Sequence, residues 1–131
     1  MSLRSFLMAG ALTCALASPV LAAEDGGDLF AQNCSACHQP KGEGVAGAFP
    51  PLAGNKFVVG DPKGPAYVVT HGRGGMPNFS GDLDDKQIAT ILSFVRSSWG
   101  NTAAPLDAAV VASVRGAQTP PNPDSASLPF H

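Results

Sequence analysis

Two cysteines and a histidine stand together in Cys34-Ser35-Ala36-Cys37-His38. Thiols three positions apart lie about one helical turn from each other, so both can reach one edge of a shared partner. The histidine that follows then projects beside them. Three chemistries use such a pattern. A dithiol–disulfide couple would want a thioredoxin-like βαβ pattern around it, and none is visible. A structural zinc site needs four ligands, and no second C-x-x-C or H-x-x-x-H completes the tetrahedron. The third is covalent attachment of a c-type haem, in which the thiols bond to vinyl groups on one haem edge and His38 meets the iron.

The chain around this motif is short, at 131 residues, which allows one domain and excludes a large two-domain enzyme or a polytopic membrane protein. Its 15 glycines and 12 prolines put much of it in turns and loops. A domain so small and loop-rich buries a modest fraction of its surface and needs a staple. Residues 1–22 read as a signal peptide, expected to be cleaved after Ala22. They comprise a basic start at Arg4, an apolar run from Phe6 to Ala17 and the triplet Val20-Leu21-Ala22. The run falls short of the about 18 apolar residues of a membrane span, and Pro19 follows it, which disfavours an uncleaved anchor. A lipid anchor on Cys14 would want a small residue where Thr13 stands. Cleavage removes Cys14 and Arg4. It leaves Cys34 and Cys37 as the only thiols and seven basic against ten acidic residues, with no basic run to bind nucleic acid. Export agrees with haem attachment, which takes place outside the cytoplasm.

Helices must position these groups. Asp25 can cap a first helix with Asp28 in its first turn and Leu29, Phe30 and Cys34 along one side. A longer helix is marked by Asp84 and Gln87 as a capping box and by Leu83 and Ile88 as a hydrophobic staple. Its apolar stripe runs through Ile88, Ile91, Leu92, Val95 and Trp99, with Gly100 as its stop. Gly64 to Gly72 reads as a short helix with Pro65 in its first turn. Gly72-Arg73-Gly74-Gly75-Met76-Pro77 reads as a loop, in which Gly74 and Gly75 are expected to take backbone angles or close approaches that a side chain would obstruct. After Pro105 an apolar stretch with Leu106, Val110, Val111 and Val114, ending at Arg115, reads as one more helix packed on the domain. From Gln118 a proline-rich tail reads as extended and mobile. The expected organisation is a signal peptide at 1–22, a domain at 24–101, a helical extension at 102–117 and a tail at 118–131.

From about Gly26 to Asn101 the chain resembles class I cytochrome c of the small bacterial monohaem type. The resemblance rests on Cys34-x-x-Cys37-His38, on Pro50 twelve residues later, and on Gly-x-Met76-Pro77. It implies an all-α cytochrome c fold, three to four short helices and long loops wrapped around one covalently bound haem c with its iron. It implies a first helix with a small residue and an aromatic four apart, Gly26 and Phe30, crossed by the last core helix at Ile91 and Phe94. Pro50 would then accept a hydrogen bond from the far ring nitrogen of His38, fixing the tautomer and raising ligand basicity. Leu52 would pack on the haem face, with Met76 as the distal axial ligand opposite His38. Met76 is the only methionine outside the leader, and its rival is His71. Lys56, Arg73 and Trp99 are candidates to hold the propionates. The ending Ser98-Trp99-Gly100-Asn101, followed by a satellite helix, resembles cytochrome subunits and partners of periplasmic dehydrogenases.

Ligation by His38 and Met76 would fill both axial positions, favour outer-sphere electron transfer and raise the potential relative to two nitrogen ligands. No paired carboxylates, Ser-His-Asp set or phosphate loop supports another chemistry. The expected function is a periplasmic electron carrier, not an enzyme, without nucleic acid or a stable membrane anchor. It would pass single electrons from a dehydrogenase or quinol-oxidising complex to a terminal oxidase or another cytochrome. Two alternatives stand beside it: a fixed relay subunit of a larger dehydrogenase complex, and a haem enzyme or ligand sensor in which Met76 dissociates.

Overall fold

The computed structural model describes residues 23–121. The leader, its cleavage site and most of the proline-rich tail lie outside the described residues. Within them are six helices: α1 Gly26–Asn33, α2 Ser35–His38, α3 Lys56–Val59, α4 Lys63–His71, α5 Asp85–Ser97 and α6 Ala108–Arg115. The architecture is all-α, with two more helices than the sequence pattern leads one to expect. The additions, α2 and α3, are single turns, too short for any apolar period to mark them. No helix among the described residues is long and apolar enough to cross a membrane.

The strongest local signals produce the elements they imply. Asp25 Oδ1 accepts from Gly27 N at 2.8 Å and Asp28 N at 3.2 Å, satisfying donors that the start of α1 leaves open. Asp84 Oδ1 accepts from Gln87 N at 2.8 Å while Gln87 Oε1 accepts from Asp84 N at 3.0 Å, closing the capping box of α5. Leu83 and Ile88 are both buried beside it, with Ile91, Leu92 and Val95.

The end of α5 differs from expectation. The helix stops at Ser97, and Trp99 adopts φ +55° and Gly100 φ +87°. Ser97 and Ser98 hydroxyls bond back to Ser93 O at 2.9 Å and Phe94 O at 2.6 Å. Such side-chain bonds offer the backbone an alternative to another helical turn. Trp99 is therefore not the last residue of the stripe. It folds back so that its ring lies 5.0 Å from Phe30 and 5.4 Å, edge-on, from Phe94.

α1 packs on α5, and α6 packs on both α4 and α5. At the α1–α5 crossing a Cβ added to Gly26 would lie 2.7 Å from both Thr90 O and Phe94 Cβ. The closest approach to Gly26 is thus made by Thr90 and Phe94, with Ile91 buried in the core that Phe30 also enters. Gly26→Ala ought to favour the helix by about 1 kcal/mol on propensity alone. Here it is expected to destabilise by about 1–3 kcal/mol, because the obstructing atoms are a backbone oxygen and the stem of a packed ring. Denaturant unfolding checks this, and an unchanged or higher midpoint would show that the crossing has slack.

α6 completes the same core through Leu106, Val111 and Val114. Arg115 fastens it, with Nε 2.6 Å from Asp85 Oδ1 and further bonds to Ser80 O and Leu83 O. Arg96 is a second fastener that the sequence pattern conceals. It is 4% exposed and donates to Val58 O at 2.6 Å, Gly60 O at 3.0 Å and Ala104 O at 2.9 Å. Burial lowers its pKa, with Asp61 opposing the shift.

Candidate functional site

α1 gives way at Cys34, whose φ of −123° is not helical, and the chain restarts as α2. Cys34 O accepts from Cys37 N at 3.2 Å and His38 N at 3.0 Å, so Cys34, Cys37 and His38 share one tight turn. Gln39, at φ +65°, ends it. Cys34 and Cys37 are not bonded to each other; Cys34 is half-buried and Cys37 exposed. Burial, with a smaller contribution from Cys37, pushes the Cys34 thiol up to about 11.

His38 is 8% exposed and its Nδ1 lies 3.0 Å from Pro50 O. A carbonyl can only accept, so Nδ1 carries the hydrogen and Nε2 keeps the lone pair of the neutral ring. The loop from Gln39 to Pro51 brings these two residues together. Gly44 N donates to His38 O at 2.9 Å, and Val45 N to Phe49 O at 2.8 Å. Gly44 sits at φ +64°, and a Cβ there would strike Phe49 O and lie 2.8 Å from Pro50 O. Only glycine lets the Pro50 segment lie so close. Gly42 has a similar role at φ +64°, where a Cβ would come within 2.5 Å of the Trp99 indole. Its carbonyl accepts from Leu52 N at 2.7 Å and Ala53 N at 3.0 Å. Leu52 packs half-buried against the core.

Met76 is held on a different segment. Arg73 N donates to Met76 O at 3.1 Å and Met76 N to Arg73 O at 2.9 Å. This miniature pairing follows Gly72 at φ +77°, where a Cβ would come within 2.7 Å of Met76 O, and contains Gly74 at φ +55°. Gly75 does not fit the sequence expectation. Its φ is not positive and a Cβ on it meets no protein atom within 4 Å. The turn falls one residue earlier, so Gly72 and Gly74 carry the conformational demand. His71 is tied to its own helix: Nδ1 is 3.1 Å from Tyr67 O and 2.9 Å from Thr70 Oγ1, and the ring stacks on Tyr67 at 4.0 Å. Of the other candidates, the Arg73 guanidinium lies 5.7 Å from the Phe57 ring centre, Lys56 is exposed at the start of α3, and Trp99 packs into the aromatic cluster.

The structure therefore joins Cys34, Cys37, His38 and Pro50 in one place, with Leu52 two residues on, and presents Met76 on the loop after α4. Asn101 joins the Leu52–Gly54 turn to the core, a contact the sequence conceals. It is buried, and its side chain bonds to Gly54 N and Leu52 O, beside Pro50. The Ser98–Asn101 string draws attention to the position but not to that role.

The chain is similar to several known proteins. Residues 21–95 match the family described as cytochrome c oxidase, cbb3-type, subunit III. The chain is 40% identical over 100 residues to the cytochrome c subunit of a quinone-type alcohol dehydrogenase of Komagataeibacter europaeus, across 67% of this chain and 21% of that protein. It is 33% identical over 115 residues to cytochrome c-552 of Thermus thermophilus, across 76% of this chain and 72% of that protein. It is 30% identical over 110 residues to the gluconate 2-dehydrogenase cytochrome c subunit of Pantoea cypripedii, across 73% of this chain and 25% of that protein. The chain thus spans about a fifth of the length of the alcohol dehydrogenase subunit it matches.

Proposed function

This chain belongs to the cytochrome c family described as cytochrome c oxidase, cbb3-type, subunit III, and we propose that it carries single electrons between redox proteins of the periplasm. Haem c, when bound, supplies one reversible electron at its iron. The residues that would hold it are Cys34 and Cys37 through their thiols, His38 through Nε2 and Met76 through its sulfur. The observation that carries the reading is the 3.0 Å contact of His38 Nδ1 with Pro50 O. It leaves the other ring nitrogen as a donor and holds the ring at a fixed angle, the arrangement metal-bound histidines use. Two thiols on the same turn fit covalent attachment at one edge. Among the described residues no three His, Cys, Asp or Glu side chains converge as a metal cage. A metal at His38 would therefore take most of its donors from a macrocycle.

The donor in this reading is a dehydrogenase, supported by likeness to the cytochrome c subunits of alcohol and gluconate dehydrogenases. The same likeness favours, as a second reading, a fixed relay within such a complex. His38 and Met76 would both hold the iron of a bound haem, so the chain's own task would be to keep two ligands still while charge passes. The test is carbon monoxide added to the purified ferrous protein at neutral pH. The visible spectrum is expected to stay unchanged. A shifted main band would mean an open position and would favour a ligand sensor or haem enzyme.

A further inference from the structure

We infer that Asn101 is the positioning residue for the Pro50 carbonyl and, through it, for the ring of His38; this rests on the reading of His38 as an axial ligand. Asn101 is 5% exposed. Its carboxamide makes three hydrogen bonds, all to main chain. Oδ1 accepts from Gly54 N at 2.9 Å, and Nδ2 donates to Leu52 O at 3.1 Å and to Val95 O at 2.8 Å. Leu52 O and Gly54 N flank one short turn, so the amide grips that turn as a neighbouring peptide would. Val95 O belongs to the last turn of α5, where carbonyls lose their helical partners. Asn101 thus bonds the Pro50–Gly54 segment to the helix that organises the core.

The grip reaches Pro50 with little slack. Pro50 and Pro51 both have ring-fixed φ angles, and they run directly into Leu52. From the other side, Gly42 O accepts from Leu52 N at 2.7 Å, and Asn55 Nδ2 donates to Pro51 O at 2.8 Å. Removing the Asn101 amide takes this partner from Gly54 N and Val95 O and leaves Leu52 O with only the 3.4 Å contact from Asn55 N. The segment can then move away from His38. The Nδ1–H bond to Pro50 raises the basicity of the imidazole and so favours ferric iron. Loosening it shifts the midpoint potential upward.

The experiment is NMR of the ferrous holoprotein, reading solvent exchange of the His38 Nδ1 proton, together with the midpoint potential. Asn101→Ala, the milder Asn101→Ser and, as a stability control away from the site, Arg115→Ala are compared with the unaltered chain. Exchange is expected to rise about tenfold in Asn101→Ala, and by less in Asn101→Ser, as a lost hydrogen bond requires. The potential should rise in both. Arg115→Ala should leave exchange and potential unchanged even where it lowers stability as much. If the Asn101 variants exchange at the unaltered rate, or Arg115→Ala accelerates exchange equally, Asn101 is only a structural residue and the inference falls. If the unaltered ferrous protein shows no His38 ring protons displaced upfield by the ring current of a porphyrin, the ligand reading itself fails and takes the inference with it.

Discussion

Met76→Ala is expected to abolish the weak absorption near about 695 nm that iron–thioether ligation gives an oxidised c-type cytochrome. The potential should fall by a sizeable part of the roughly 0.8 V that axial ligands can span, because a neutral thioether favours ferrous iron. The ferrous protein should then bind carbon monoxide. His71→Ala should do none of these things, since the His71 ring is bonded and stacked within α4. The opposite pattern, with His71 required and Met76 dispensable, would mean two histidine ligands and a donor of much lower potential. The loop adds a finer comparison. Gly72→Val should weaken the band, as its side chain would meet Met76 O under a left-handed backbone, whereas Gly75→Val, at a φ that is not positive and with no protein atom within 4 Å of its Cβ, should weaken it less. Equal loss in both would show that the glycines serve something other than the Arg73–Met76 pairing.

How much of this could be read in the residues depended on whether the physics was local. Caps are local: Asp25 and Asp84 act on amides two or three positions away, and both are visible in the sequence. The Gly26 and Phe30 pair is legible through the resemblance to class I cytochrome c, and its physical sense is that a missing Cβ lets a neighbouring helix come close. Which neighbour it is depends on helix rotation: Phe94 is there as expected, and the Thr90 carbonyl joins it. The C-terminus of α5 departs from the apolar period because serine hydroxyls and an asparagine amide take the carbonyls of its last turns. Single turns such as α3 carry too few residues to show a period. Its cap, Asn55, accepts from Phe57 N at 2.9 Å, and such asparagines are equally common in turns. Arg96 and Asn101 are the clearest losses. Both are polar, both are buried, and both earn burial by bonding to backbone groups far along the chain. No spacing rule announces a partner nearly fifty residues away.

Changing both Cys34 and Cys37 to Ala should remove the haem stain from the protein band on a denaturing gel. Each single change should remove most of the holoprotein while leaving a residual covalent band. The two positions are not equivalent. Cys34 is half-buried, lies at the joint between α1 and α2, and supplies the carbonyl that closes the turn to His38, whereas Cys37 is exposed. Cys34→Ala keeps that carbonyl, so the turn survives and only the bond is lost. The yield should nevertheless fall, because the apolar core is small and the covalent group would supply much of what so glycine-rich a chain lacks. The decisive control is extraction with acidified acetone. A thioether holds its haem through this treatment, while a group bound only through His38 and Met76 is released. Colour passing into the acetone from the unaltered protein would overturn covalent attachment and leave the Pro50 clamp on His38 without a haem c to serve.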